Sequence, residues 1–247
     1  MNKVSCFAGI FILVCWNTAF SEPLKVIMDN YPPFSYEEMG EIKGISTLVV
    51  RAVLKEAGLE TTIEQYPFAR AYHMTQEEEN VFEYCVVRTP EREKLFQWIG
   101  VVGPAVQVIF ALKDRDIRIE KMEDLSQYTI GTVFEDVVDQ HLRKHQHRLG
   151  LKLDMVANYE ANINKLFFKR FDLCGMNKLV GMYLAKKLGH SENDIKPVYT
   201  DEKLSGEYYL VTGLKTPVET VNKLQSVFET VHKNGTYQKI LDEYFLK

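Results

Sequence analysis

The stretch V-V-R-T-P-E-R-E-K-L-F-Q-W-I-G-V-V-G, residues 86 to 103, decides the fold. An apolar run ends at Val87, and Pro90 forbids its continuation as a central strand. Arg88, Glu91, Arg92 and Glu93 crowd around that proline. In an open α/β sheet ligands bind outside the carboxyl ends of strands, and a guanidinium there presents a planar fork suited to a carboxylate. The stretch therefore reads as a strand end followed by a binding turn. The competing reading is that Arg88 and Arg92 only pair with Glu91 and Glu93 on a solvated surface. Their neighbours along the chain choose between the two.

Upstream, Leu24 to Met28 is an apolar run stopped by Asp29-Asn30-Tyr31-Pro32-Pro33-Phe34. Gly44 to Ala57 carries Leu48, Val49, Ala52 and Val53 at helical spacing, and Gly58 ends it. Thr61 to Tyr66 is a second strand, which makes a βαβ unit and predicts a parallel sheet. A short helix follows Pro67-Phe68-Ala69-Arg70-Ala71, and Phe82 to Val87 is the third strand. Downstream of Pro104 the pattern starts again, with strands at Val106 to Leu112, Tyr128 to Val133, Leu153 to Ala157, Phe171 to Met176 and Ile195 to Tyr199. Helices fall between them at Asp136 to Leu149, Ile163 to Lys169 and Leu179 to Leu188, the first closed by Gly150. After a last strand at Tyr208 to Leu214, Thr216-Pro217-Val218-Glu219 reads as a helix start capped by Thr216, and Thr236 caps a short final helix. Two successive α/β units result.

Composition excludes several classes. The 247 residues are 26% charged with a net charge of −4 and scattered lysines and arginines, so the basic stripe that nucleic acid requires is missing. Residues 1 to 21 read as a secretory signal peptide: Lys3, an apolar core from Phe7 to Trp16, and Ala19-Phe20-Ser21 before a cleavage point after Ser21. The remaining cysteines, Cys85 and Cys174, each sit in an apolar strand-like run and are expected as free thiols. His141 and His145 are one turn apart, but no third ligand accompanies them, so a solvated helix face is preferred to a metal site. No G-x-S-x-G, H-E-x-x-H, P-loop or dinucleotide glycine motif is present, and neither a cofactor nor a catalytic group is expected. Aromatic residues gather where loops leave strands, Tyr31 and Phe68 among them, as pocket walls or as local packing.

Tyr31-Pro32-Pro33-Phe34, Thr89-Pro90-Glu91-Arg92, Arg170-Phe171-Asp172 and Asn234-Gly235-Thr236-Tyr237 occur in an order that resembles the bacterial extracellular solute-binding proteins of family 3, over Leu24 to Phe245. The resemblance implies a two-lobed α/β periplasmic-binding-protein-like fold (type II) with the ligand cleft between lobes. On that pattern residues 22–104 and 206–247 form lobe one and residues 105–205 form lobe two. It implies that Arg92 takes a ligand carboxylate and that Tyr31 and Phe68 are aromatic walls. The sequence departs from the family at Val87, where a hydroxyl residue is usual, at Glu135-Asp136 in place of Gly-Thr, and at Asn177 in place of the acid that holds an α-ammonium. Arg70 and Arg88 beside Arg92 suit an anionic or carboxylate-rich solute, with Asn177 and Asp136 closing from lobe two; Asp136 also reads as a simple helix cap.

The expected protein is a monomeric periplasmic binding protein that captures a small polar solute for an ABC permease in the inner membrane. Two alternatives share the scaffold: a dehydratase resembling cyclohexadienyl dehydratases, in which Glu135 or Asp136 is the general acid, and a sensor that reports ligand to a membrane partner.

Overall fold

The computed structural model describes residues 24–200 and 202–245. The signal peptide expected over residues 1 to 21 lies outside them.

The first lobe begins with β1 (Lys25–Met28), the hairpin β2 (Tyr36–Glu38) and β3 (Glu41–Lys43), α1 (Ile45–Glu56), β4 (Ile63–Gln65), α2 (Phe68–Glu77), β5 (Val81–Val87) and β6 (Phe96–Ala105). Only Val106 separates β6 from β7 (Gln107–Leu112), where the chain enters the second lobe. There it forms β8 (Thr129–Val133), α3 (Val137–Leu149), β9 (Lys152–Val156), α4 (Tyr159–Phe167), β10 (Leu173–Asn177), α5 (Lys178–Lys187) and β11 (Ile195–Thr200). A short 3-10 turn at Glu202–Leu204 leads back to the first lobe through β12 (Gly206–Gly213), α6 (Val218–Lys233) and α7 (Thr236–Phe245).

Each lobe has one five-stranded mixed sheet, ordered β4-β1-β5-β12-β6 and β11-β7-β10-β8-β9. The βαβ units are parallel as expected, β1 pairing with both β4 and β5, and β8 with both β9 and β10. The crossing strands are antiparallel: β12 runs between β5 and β6, and β7 between β10 and β11. Central strands are covered on both faces, so β10 is buried along its whole length and β5 nearly so, which explains their continuous apolar runs. In β8, a side chain at Gly131 would lie 2.3 Å from the Phe171 ring and 2.4 Å from Asn162 Oδ1, so only glycine admits that packing.

Several sequence expectations are corrected. β6 is a ten-residue strand that the sequence reading did not set out, formed because β12 pairs with it from Gly206 to Gly213. The β2–β3 hairpin was not expected from the sequence. α4 starts at Tyr159, four residues before the expected Ile163, under an Asn158 cap that accepts from Ala161 N at 2.8 Å. Thr216 does not cap α6; its hydroxyl bonds Thr212 Oγ1 at 2.6 Å and accepts from Asn80 N at 3.0 Å, tying β12 to the turn before β5. Likewise Asn234 Oδ1 accepts from Thr236 N at 3.0 Å, so Thr236 is the first residue of α7 and not its cap. Cys85 and Cys174 are free thiols. Among the described residues no helix is long and apolar enough to cross a membrane.

Candidate functional site

The carboxyl ends of both sheets face one another, and the loops that leave them build the site. Thr89-Pro90-Glu91-Arg92 folds back after β5 as a turn in which Arg92 N donates to Thr89 O at 3.0 Å. This swings the Arg92 side chain over the strand end, where the residue is 1% exposed. Its guanidinium lies 5.0 Å from the Tyr72 ring centroid and 5.8 Å from that of Phe68. Nε donates to Gln140 Oε1 at 3.0 Å, one terminal nitrogen to Val87 O at 3.4 Å and the other to Glu135 O at 3.2 Å. Three of the five N–H donors of a guanidinium are thus used within the protein.

Arg88, four residues earlier, takes the solvated alternative. It forms a fork with Glu93 at 2.7 and 2.6 Å and lies over the Trp98 and Tyr209 rings, on the outside of the lobe. Trp98 therefore packs under Arg88. Arg70 covers the Tyr66 ring at 4.7 Å. Neither Arg88 nor Arg70 lines the interlobe cavity. Asn177 does not line it either: its Oδ1 accepts from Leu179 N and Val180 N at 2.8 and 3.3 Å and so starts α5.

The cavity between the lobes has room for about one water molecule. Arg92, Phe68, Tyr31, Asp29, Tyr84, Cys85, Val87 and Tyr208 line it from the first lobe, and Asp136 and Tyr159 from the second. The Tyr31 and Tyr159 rings meet across the cleft with centroids 4.4 Å apart, and within the first lobe the Tyr31 and Tyr208 hydroxyls are 2.8 Å apart. Gln107, just past the first crossing, donates to the Tyr208 hydroxyl at 2.9 Å.

Carboxyl groups outnumber cations here. Asp136 caps α3, accepting from its neighbour Val137 N at 2.6 Å, while its Oδ2 has no hydrogen-bond partner among the described residues. It is thus both the cap and the cavity residue that the sequence offered as alternatives. Burial pushes it up to about 6 against the pull of Arg92. Asp29, directly after β1, is pushed up to about 7 by burial, with the Asn30 N–H opposing and Asp136 adding to the rise. Behind them Glu83 is pushed up to about 8 by burial, Arg92 again opposing. The sequence reading missed Asp29, Tyr159, Tyr208 and Glu83. Asp29 follows β1 directly and Tyr159 comes three residues after β9, so the strand-end rule applied to Arg92 would have found them as well.

His141 and His145 line a separate open groove of about 570 Å³ with Glu91, Lys144 and Lys203. Among the described residues no group of three or more His, Cys, Asp or Glu could hold a metal ion.

The chain is similar over nearly its whole length to known binding proteins. An arginine-binding periplasmic protein of Mannheimia haemolytica is 26% identical over 240 residues, which is 93% of this chain and 94% of that protein. The arginine-binding extracellular protein ArtP of Bacillus subtilis (strain 168) is 21% identical over 225 residues, 90% of this chain and 86% of its own. The solved structure of an ancestral arginine-binding protein bound to arginine superposes with a TM-score of 0.78 at 24% identity, covering 90% of this chain and 98% of that one. The family model for bacterial extracellular solute-binding proteins, family 3, matches residues 24–247, and the chain belongs to that family.

Proposed function

We propose that the protein is a periplasmic receptor that encloses an amino-acid-like solute between its lobes and presents it to an ABC permease. The observation that carries this reading is a buried guanidinium, Arg92, facing one cavity together with Asp29 and Asp136. One fork for a carboxylate and two carboxyls for cationic groups match a zwitterion or a zwitterion with a further positive group. Tyr31, Phe68, Tyr159 and Tyr208 supply the walls. With Arg88 and Arg70 turned away, the anionic or carboxylate-rich solute that they suited in the sequence is less well matched than a ligand carrying positive charge. The relatives that bind arginine support the same direction. The cavity holds about one water molecule, so the lobes separate to admit a solute, as hinge-closing receptors do.

The test is a thermal-shift panel of the common amino acids, L-arginine included, on protein stripped of ligand by unfolding and refolding. A basic amino acid should raise Tm, and Arg92→Ala should abolish the rise. A wild-type-like rise in Arg92→Ala would refute the placement of the carboxylate.

A further inference from the structure

Glu83 lies in β5, the central strand of the first sheet, and is 1% exposed. A carboxylate accepts hydrogen bonds and donates none, so an ionised Glu83 needs donors on both oxygens. Among the described residues Oε1 has no partner, and Oε2 meets the Thr75 hydroxyl alone, at 3.4 Å. That hydroxyl owns a single proton, and Ala71 O, one turn back along α2, lies closer to it at 2.9 Å. With the proton engaged by Ala71, two bare oxygens face one another unless Glu83 carries a hydrogen itself. The contact then becomes a donation from a neutral carboxylic acid to Thr75 Oγ1. Burial acts in the same direction, because it penalises a charge that has no donors around it.

Arg92 belongs to the same cluster. Tyr72, three residues before Thr75 on α2, has its ring centroid 5.0 Å from the Arg92 guanidinium, and Tyr72, Thr75, Glu83 and Arg92 are all buried. Every member belongs to the first lobe, so the cluster stands whatever the position of the second. Two charged groups act on Glu83: Arg92 favours its ionised form, and Asp29 at the end of β1 opposes it. The other titratable neighbours stay neutral, since burial pushes Cys85 in β5 up to about 12 and raises Tyr72 as well. The remaining charges on the packed elements are directed elsewhere. On β1, Lys25 is turned to Glu64 and Tyr66; on α2, Arg70 covers Tyr66, His73 is exposed and Glu77 pairs with Lys215. From the neighbouring strand β12 sets the apolar Val211 opposite Glu83.

A carboxylate bound at Arg92 brings a further negative charge to this cluster and offsets the pull of Arg92 on Glu83. The proton on Glu83 is then held more tightly, and by linkage that proton tightens the solute in return. We propose that Glu83 is a proton site coupled to Arg92, a neutral carboxylic acid while Arg92 holds a solute carboxylate, so that capture weakens when Glu83 ionises. The effect on capture rests on the solute reading given above; the proton on Glu83 and its coupling to Arg92 do not.

The experiment has two parts, both on the full mature chain stripped of ligand. Infrared spectroscopy across the pH range follows the C=O stretch that only a protonated carboxyl gives. Wild type minus Glu83→Gln should show this band at pH 6.5 and lose it with a midpoint of about 8. Arg92→Met, which removes the charge and keeps much of the side chain, should move the midpoint up by about one pKa unit when referred to the double variant with Glu83→Gln. Calorimetry with L-arginine as the probe then compares wild type with Glu83→Gln at pH 6.5 and pH 9. The ratio of their dissociation constants, wild type over variant, should rise about fivefold between the two, as a coupling of about one pKa unit gives one unit above the midpoint. Asp29, Asp136 and the α-ammonium of the probe titrate in both proteins and drop out of the ratio. If Glu83→Gln fails to fold, Glu83→Leu takes its place. No band difference at pH 6.5, a midpoint unmoved by Arg92→Met, or a flat ratio would overturn the proposal. Failure of L-arginine to bind wild type counts against the solute reading instead, and the infrared titrations still decide the proton and its coupling.

Discussion

Asp29→Asn should stabilise the protein, and the gain should grow with pH. Asp29 is 9% exposed, and burial lifts its carboxyl from 3.8 to about 7. Below about pH 3 the group is protonated both folded and unfolded, and contributes almost nothing. As pH rises toward 7 the unfolded chain ionises while the folded chain keeps its proton, so the native state binds more protons and stability falls. Above 7 both states are ionised and the loss is constant. At pH 5 the deficit is roughly one pKa unit and at pH 8 about three, or about 1.5 and about 4 kcal/mol at ~1.4 kcal/mol per unit. Asparagine carries no such deficit and keeps an oxygen to accept from Asn30 N, which Asp29 Oδ1 does at 2.6 Å.

The advantage of Asp29→Asn should therefore widen by about 2–3 kcal/mol between pH 5 and pH 8. For a chain of this size that corresponds to a Tm gap growing by roughly 5–10 °C. Ligand-free protein scanned at the two pH values by circular dichroism measures it. A gap that does not grow, or a variant less stable than wild type at pH 8, would refute the argument that Asp29 is a charge held at a cost. The same variant should lose the Tm rise given by L-arginine, because a group retained against stability is retained for binding.

The two arginines outside the cavity make a contrasting pair of tests. Arg88→Ala and Arg70→Ala should leave the ligand-induced shift intact, and removing the exposed Arg88–Glu93 pair should change stability by about 1 kcal/mol or less. Loss of the ligand-induced shift in either would return that arginine to the site. Purified protein given prephenate or arogenate should form no product, as followed by chromatography; turnover abolished by Asp136→Asn would establish the dehydratase alternative instead.

The two successive α/β units could be read from the chain because strand ends announce themselves, whereas the return of the C-terminal elements to the first lobe and the cleft between lobes came from the family resemblance. Val87 before Thr89-Pro90 and Met28 before Asp29 each close an apolar run at a residue that cannot continue it. What escaped depends on partners distant in sequence. Phe96 to Ala105 contains Gly100, Gly103 and Pro104 and looks like a connection, yet it is a strand because β12 lies along it. The first turn of α4 was hidden by Asn162, a polar residue on the apolar stripe of Tyr159, Ile163 and Leu166, whose Nδ2 donates to Gly175 O at 3.2 Å inside the lobe. Arg88 and Arg92 share one charge and one neighbourhood, and composition cannot separate them. Strand alternation can: Val87 faces the cavity, so the next residue, Arg88, points to the opposite side, and only the turn at Thr89 brings a second arginine back.

A guanidinium as buried as that of Arg92 has to be paired in every closed state, because a buried charge without partners costs several kcal/mol. When the lobes part, water replaces Gln140 and Glu135. On the function proposed above, the carboxylate of an enclosed ligand takes donors that the protein leaves free or displaces Gln140 from Nε. The affinity for a carboxylate is accordingly a difference between two sets of bonds to the same cation and not the worth of one set. Residues that never touch the ligand then enter its binding constant through the state it must displace. This gives a physical sense to the Glu135-Asp136 pair at the start of α3: one residue orients Gln140, which accepts from Arg92, and the other turns an unsatisfied carboxylate oxygen toward the cleft.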